Sequence, residues 1–171
     1  DMVITSAGVS KGSYDLVKDV LASRGEISFW SVRMRPAKPI AFGLLHGDDG
    51  RKVPHLGLPG NPVSALVAFE QLGRPAILKM MGKTRWARPT IQAVLEDPIS
   101  NHDGRRVYAR VVVTRRNGTY YARLAGSQGS NILMSMARAN GLAICPEDVS
   151  LKKKGDTVTV QMVDWNEEAS Q

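Results

Sequence analysis

The sequence is poor in cysteine and aromatic residues and has no long apolar run. Its single cysteine, Cys145, excludes an internal disulfide and fits a reducing, cytoplasmic setting. Aromatic residues make up 6% of the chain, and they are not interleaved with basic residues as in proteins that stack bases. No apolar run approaches the roughly 18 residues needed to span a bilayer. We therefore expect a globular chain with neither a nucleic-acid nor a membrane partner.

Charge and composition are more informative about the partner. Hydrophobic residues make up 43% and charged residues 23% of the chain, which is ordinary for a globular protein. The net charge of +7 favours an acidic partner, and a phosphorylated small molecule is one candidate. The only compact basic run, Lys152 to Lys154, is interpreted as a solvated turn. The three histidines show no spacing typical of a metal site.

The first half of the sequence alternates strand and helix patterns. We predict strands at 2–5, 27–34, 40–45 and 53–58, and helices at 14–24 and 65–81. Leu16, Val17, Val20 and Leu21 form the apolar stripe of the first helix, and Arg74-Pro75 should kink or break the second. This order predicts a partly parallel sheet with helices packed on it, hence an α/β domain. We expect further strands before Asp1, because a strand, loop and helix unit normally sits among parallel neighbours.

The second half has a different pattern. Strands are predicted at 90–95, 106–115, 119–124, 141–145 and 157–163, with one short helix at 132–139. Asn117-Gly118 is a strong signal for a two-residue hairpin turn. The apolar face of the short helix is expected at Ile132, Leu133, Met136 and Ala137. The sequence thus predicts a domain at 1–85 followed by a small, mostly β, barrel-like domain at 86–171.

The segment Leu58 to Ala65 forms a turn between a strand and a helix. Asn61 is placed to cap the helix through its side-chain oxygen, and Pro62 suits the first helical position. Pro59 and Gly60 fix the turn, so that free N–H groups at the helix start point at one place, where an anion is favoured. Taken alone, the same pattern also describes an ordinary strand-to-helix turn.

A second loop, Ser6 to Ser13, also joins a strand to a helix. Gly8 and Gly12 allow a close approach of backbone N–H groups, while serine hydroxyls and Lys11 offer polar contacts. It matches neither common phosphate-loop motif and, alone, is equally well an ordinary loop. Ligands of open α/β sheets bind outside the carboxyl ends of the strands, so two such loops strengthen each other as a phosphate site.

Four charged or polar positions have two interpretations each. Asp15 either favours the dipole of the helix that it begins or holds Mg²⁺ beside a phosphate. Arg35, with Arg33 and Lys38, forms either an oxyanion site or a solvent-facing strand edge. Arg110 lies in an apolar strand, where a solvated position is the simpler interpretation. Ser130 either caps the short helix or belongs to a site.

Five sequence blocks together resemble a known family. They are Asp1 to Ser10 with Gly12 and Tyr14-Asp15, Met34 to Pro39, Leu58 to Ala65, Gly126 to Ser130, and Leu133 to Gly141. In this order they resemble the molybdopterin molybdenumtransferases, the MoeA/gephyrin family, along nearly the whole chain. Ala7 and Ala37 depart from the family pattern, which usually has glycine at both positions.

The resemblance implies the C-terminal portion of an enzyme of molybdenum cofactor biosynthesis. The fold would be half of a three-layer molybdopterin-binding α/β domain followed by the C-terminal β domain. The enzyme would insert molybdate into adenylylated molybdopterin and release AMP, with Mg²⁺ and as a homodimer, in contact with other proteins of cofactor synthesis. Asp15 and Arg35 would be catalytic, with Asp15 also binding the metal. The binding residues would be Ser6, Gly8, Ser10, Gly12, Lys38, Pro59, Gly60, Asn61, Pro62, Arg110 and Ser130.

Two other functions stay open at this point. One is a binding or scaffold module without catalytic activity, since animal members of the family anchor receptors. The other is a pterin- or nucleotide-binding α/β domain that lacks insertase activity. The second, β-rich region argues against the latter, because simple one-domain relatives lack it.

Overall fold

A computed structural model describes residues 1–9 and 16–164. The chain separates into two compact units, one of Asp1–Val32 with Pro36–Thr84 and one of Arg33–Arg35 with the chain from Arg85 on. The strands are β1 (Val3–Ser6), β2 (Gly25–Ser31), β3 (Met34–Arg35), β4 (Pro39–His46), β5 (Lys52–Leu58), β6 (Thr90–Leu95), β7 (Ile99–Ser100), β8 (Arg106–Arg116), β9 (Thr119–Leu124), β10 (Gly141–Cys145), β11 (Leu151–Lys152) and β12 (Thr157–Met162). The α-helices are α1 (Leu16–Arg24), α2 (Pro62–Ala68), α3 (Arg74–Met80) and α4 (Leu133–Arg138).

The first unit contains a mixed sheet with strand order β1-β5-β4-β2. β1 runs parallel to β5, with Ser6 opposite Leu58, whereas β4 is antiparallel to both of its neighbours. The parallel pair places the ends of β1 and β5 at the same edge of the sheet, as the sequence predicted. Ile40, Ala41 and Leu56 belong to its buried core.

Of the kink or break predicted at Arg74-Pro75, the break does not occur, because helical structure continues through Pro75. Phe69–Gly73 forms a π-helical turn between α2 and α3, and Arg74 N–H bonds to Phe69 O. Gly73 and Arg74 keep right-handed helical angles. The wider turn therefore accommodates a residue without an N–H donor, and the chain follows one helical path from Pro62 to Met80.

The apolar stripe of α1 is only partly as predicted. Leu21 is buried, but Val20 is 59% exposed. The beginning of the predicted helix, Tyr14 and Asp15, lies outside the described residues. Gly25 ends α1 as predicted and also starts β2.

The second unit is a closed five-stranded barrel, as the fold prediction required. Its strands follow the order β10-β12-β6-β9-β8, and β8 pairs back with β10 to close the ring. Asn117 and Gly118 form the predicted hairpin turn, with φ of 48° and 82°. The barrel core is lined by Ala93, Leu95, Ile99, Val107, Ala109, Val111, Val113, Ala122, Ala143, Cys145, Val158, Val160 and Met162. Sequence analysis missed the short pair β7–β11.

The strand predicted at 27–34 is divided between the two units. β2 ends at Ser31 in the first unit, while β3 pairs in parallel with the start of β8 in the second. Met34 lies opposite Arg106 and Arg35 opposite Val107. No helix within the described ranges is both long and apolar enough to cross a membrane.

Candidate functional site

The two loops predicted to form a phosphate site touch each other. Ala7 N–H donates to Leu58 O at 3.0 Å, and the Ser6 hydroxyl donates to Pro59 O at 3.2 Å. A Cβ atom on Gly60 would lie 3.2 Å from Ala7 Cβ, so the close approach of the loops favours glycine there. The structure thus brings together Ser6, Pro59 and Gly60 and places Gly8 just beyond them, buried and with a φ of 81°.

The rest of the first loop cannot be placed in this way. Ser10, Lys11, Gly12 and the candidate catalytic and metal-binding Asp15 lie outside the described residues. Their roles stay predictions. Within the ranges 1–9 and 16–164, no group of three or more histidine, cysteine, aspartate or glutamate side chains is arranged to hold a metal ion.

Asn61 begins α2 differently from the prediction. It occupies the N-cap position with extended backbone angles, and Pro62 follows inside the helix as predicted. Its side chain makes no capping hydrogen bond, and the first helical bond is from Ala65 N–H to Asn61 O at 2.8 Å. Pro62 does not account for this, because a capping side chain would accept from the N–H of Val63 or Ser64.

Ala7 and Ala37, where the resemblance led us to expect glycine, adopt left-handed backbone angles. The φ of Ala7 is 80° and that of Ala37 is 76°. A Cβ atom is disfavoured in this region by roughly 1–2 kcal/mol. The backbone geometry at both positions therefore suits glycine, and the two alanines adopt it with strained backbone angles.

A buried histidine on β5 lies beside β1 and was missed by sequence analysis. His55 on β5 is fully buried, and its Nε2 atom is 3.0 Å from Thr5 Oγ1 on β1. Its Nδ1 atom has no hydrogen-bond partner among the described residues. Burial lowers the pKa of His55 below its ordinary value of 6.5, so the ring is neutral. A polar residue in the middle of an otherwise apolar strand was the available signal.

The side chain of Arg35 bonds to other residues of the second unit, to which Arg35 itself belongs. Its guanidinium donates to Ser100 O, and Nη1 lies 3.6 Å from Asp103 Oδ2. Asp103 also pairs with Arg105, which is the main reason that the pKa of the aspartate is lowered. Lys38 is exposed and belongs to the first unit. Neither of the two interpretations given for Arg35 included a bond to the barrel.

Arg110 is the most unusual side chain of the barrel. Val107, Ala109, Val111 and Val113 face the core, so by strand alternation Arg110 points outward. It is nevertheless only 1% exposed, and the simpler interpretation as a solvated residue is wrong. Burial lowers the pKa of its guanidinium.

The segment from Gly126 to Ser135 covers Arg110 and supplies its partners. Nη2 donates to Ser127 O at 3.2 Å and to Gly129 O at 3.0 Å, and Nε donates to Ser135 Oγ at 3.1 Å. All three acceptors are neutral, so this part of the structure holds a buried cation without a carboxylate. Such a guanidinium is suited to an anionic ligand. Ser130 is half-buried in the same segment.

The apolar face predicted for the short helix is wrong. Ile132 and Leu133 are exposed by 36% and 50%, and Ala137 is exposed as well. The buried residue of α4 is Ser135, whose hydroxyl accepts from Arg110 and donates to Ile132 O at 2.7 Å. The helix is therefore fixed by polar contacts with Arg110, which an apolar periodicity does not reveal.

The two units match two families of one protein type. Residues 1–79 match the probable molybdopterin binding domain, and residues 92–163 match the MoeA C-terminal region, domain IV. The molybdopterin molybdenumtransferase of Haemophilus influenzae is 35% identical over 163 residues, covering 94% of this chain and 39% of the relative. Molybdopterin molybdenumtransferase 2 of Mycobacterium tuberculosis is 39% identical over 155 residues, covering 87% and 36%. The chain thus spans less than half the length of these relatives.

Solved structures agree with these matches. A crystal structure of the molybdopterin biosynthesis MoeA protein of Pyrococcus horikoshii has a TM-score of 0.72 at 27% identity, covering 96% of this chain and 38% of that chain. A molybdenum cofactor biosynthesis protein of Pyrococcus furiosus, at 24% identity and a TM-score of 0.69, is similar in fold. Both family matches, in this order along the chain, show that it belongs to the MoeA family, of which it spans the C-terminal portion.

Proposed function

We propose that this chain is the C-terminal part of a molybdopterin molybdenumtransferase, an enzyme of molybdenum cofactor biosynthesis. The substrates are adenylylated molybdopterin and molybdate, and the products are the molybdenum-loaded pterin and AMP. Residues 1–85 and 86–171 correspond in this proposal to the end of the molybdopterin-binding domain and the C-terminal domain. The enzyme is a cytoplasmic homodimer that meets other proteins of cofactor synthesis.

The observation that carries the proposal is the contact between the two loops at the end of β1 and β5. The bond from Ala7 N–H to Leu58 O and the close packing of Gly60 on Ala7 hold both loops at one sheet edge. This edge is where open α/β sheets bind phosphorylated ligands. In the proposal, Ser6, Gly8, Ser10 and Gly12 line the phosphate side, and Pro59 to Pro62 form a wall for the pterin.

The remaining residues act on the charged groups. Arg110 and Ser130 bind the molybdate or a phosphate oxygen, since a buried guanidinium whose bonded acceptors in the described residues are all neutral is a strong donor to an oxyanion. Arg35 and Lys38 supply further positive charge. Asp15 is the proposed ligand of Mg²⁺, which would neutralise phosphate charge. The described residues form no metal cluster, so no step is assigned to the ion.

The experiment is turnover by the full-length protein of adenylylated molybdopterin, with release of AMP that depends on added molybdate. We expect Asp15→Ala to abolish molybdenum insertion. Asp19→Ala is the matched control, because Asp19 is an exposed carboxylate four residues further along the chain, in α1, and should leave turnover unchanged.

The outcomes separate the alternatives. Full activity of Asp15→Ala would remove the role of that carboxylate. Binding of molybdopterin without any AMP release by the wild-type protein would favour a binding module without catalytic activity.

A further inference from the structure

A single glutamine connects the strand that carries Arg110 to the segment that covers it. Gln128 Oε1 accepts from Arg110 N–H at 2.9 Å, and Gln128 Nε2 donates to Arg110 O at 3.1 Å. The side-chain amide thus bonds both backbone groups of one strand residue. The same Nε2 atom donates to Gly126 O at 2.9 Å, which ties the start of the segment to this point.

The side chain of Arg110 in turn bonds to the residues on either side of Gln128. Its Nη2 atom donates to Ser127 O and Gly129 O, the carbonyls on either side of Gln128 along the chain. The backbone of Arg110 is therefore held by Gln128, and the residues that flank Gln128 are held by the guanidinium. We call these two sets of bonds the Gln128–Arg110 lock. Each set depends on the other, because both are needed to keep the segment from Gly126 to Ser135 over the guanidinium.

The lock uses only part of the guanidinium. Nε and Nη2 make the three bonds named above, and these bonds do not use Nη1. The side chain is 1% exposed, so its direction is set by these bonds and not by solvent. In the proposed function, Nη1 is therefore the guanidinium nitrogen assigned to an incoming oxyanion.

We propose that Gln128 is a positioning residue, which fixes the guanidinium of Arg110 for an oxyanion of the substrate. This inference rests on the proposed function, because it takes the Arg110 site to bind molybdate or a phosphate group. It adds a residue that touches neither reacting atom and acts through the backbone and flanking carbonyls of Arg110. A neutral amide is required, since it must both donate and accept and must not neutralise the guanidinium.

Two variants separate geometry from charge. Gln128→Met keeps the length of the side chain and removes all of its hydrogen bonds. Gln128→Glu keeps an acceptor for Arg110 N–H, loses the donor to Arg110 O and Gly126 O, and places a carboxylate near the guanidinium. For both, we expect the KM for molybdate to rise roughly tenfold or more, with a smaller change in kcat.

Asn140 provides a matched control, because its side chain bonds to Val113 on β8, the strand that carries Arg110. Its Oδ1 accepts from Val113 N–H at 2.7 Å and its Nδ2 donates to Val113 O at 3.0 Å, which repeats the amide-to-backbone pattern away from Arg110. Asn140→Asp therefore damages a similar bond pair and adds the same charge. We expect it to lower stability while the KM for molybdate stays within about twofold of wild type.

Nuclear magnetic resonance of the 171-residue chain tests the lock without turnover. The buried, hydrogen-bonded Nε–H of Arg110 should exchange slowly with solvent in the wild type and in Asn140→Asp, and quickly in Gln128→Met. Active wild-type enzyme with unchanged molybdate KM in both Gln128 variants would overturn the positioning role alone. Full-length wild-type protein without molybdate-dependent turnover would overturn the proposed function and this role with it, even if the exchange data showed the lock.

Discussion

His55 and Arg110 are buried polar side chains that are satisfied in different ways. Arg110 has acceptors on two sides of its guanidinium, whereas the side chain of His55 bonds to Thr5 and its Nδ1 atom has no partner in the described part of the chain. A neutral ring tolerates this arrangement better than a charged one, because the imidazolium would bury an unpaired donor. The protonation of His55 is therefore linked to the stability of the sheet.

We expect the free energy of unfolding to fall as the pH is lowered below about 6.5. The pKa of His55 is lowered in the folded chain from its ordinary value of 6.5. The unfolded chain therefore binds a proton at a higher pH than the folded chain does, and lowering the pH stabilises the unfolded state. The contribution is complete above pH 6.5 and is lost as the pH falls towards the folded-state pKa, with a slope of at most about 1.4 kcal/mol per pH unit.

Urea titrations between pH 7.5 and 5 measure this slope. His55→Gln keeps a hydrogen-bonding group near Thr5 but does not titrate, so it should flatten the profile. His46→Gln is the control, because His46 lies at the exposed end of β4 beside Glu26. An equal slope in wild type and His55→Gln would contradict the assignment.

At the scale of elements, the regular spacing of apolar residues predicted the strands well. Features that depend on polar contacts or on the packing of one helix were not predicted. The strands β4, β5, β8, β9 and β10 and the Asn117-Gly118 turn followed from apolar alternation and turn chemistry. The π turn before Pro75 depends on the exact packing of one helix, and the buried face of α4 depends on Arg110. Neither is visible in the period of apolar residues. The contact of the two loops followed from strand order, but the conformation of the first loop beyond residue 9 is outside the described part.

Ala7 and Ala37, in loops of the first unit, have strained backbone angles whose effect on stability can be measured. Ala7 has a φ of 80° and is exposed, so Ala7→Gly relieves the backbone without emptying a packed site. We expect it to raise the free energy of unfolding by about 1 kcal/mol, after the greater freedom of glycine in the unfolded chain is subtracted. Ala37→Gly should gain less, because Ala37 is buried and loses packing.

Chemical denaturation compares these variants with Ala139→Gly. Ala139 has a φ of −74°, so the same substitution relieves nothing there and should destabilise the chain or leave it unchanged. A loss of stability in Ala7→Gly equal to that in Ala139→Gly would contradict the strain.

At the scale of the whole molecule, the two units differ in whether their sheet closes on itself. The barrel closes on itself through the β8–β10 pairing, and its core residues all lie between Ala93 and Met162. The sheet of the first unit has β1 and β2 at its two edges. Open edges leave backbone donors and acceptors unpaired, whereas a closed barrel has none between its strands.

We therefore expect residues 86–171 to fold alone. Thermal unfolding followed by circular dichroism should show one cooperative transition, and amide resonances should be well dispersed. Val111→Asp, which places a charge in the barrel core, is the control and should abolish the transition. A wild-type fragment without cooperative unfolding would show that the barrel needs the rest of the chain.

The position of β3 has a consequence for how such proteins recombine. The chain enters the barrel unit at Arg33, leaves it after Arg35, and returns at Arg85. A gene fusion joined at residue 85 would thus combine a barrel from one parent with a β3 strand from the other. Functional exchange of the barrel unit between family members should therefore require three crossovers, before Arg33, after Arg35 and before Arg85, so that the dipeptide Met34-Arg35 is inherited together with the strand β8 that it pairs with.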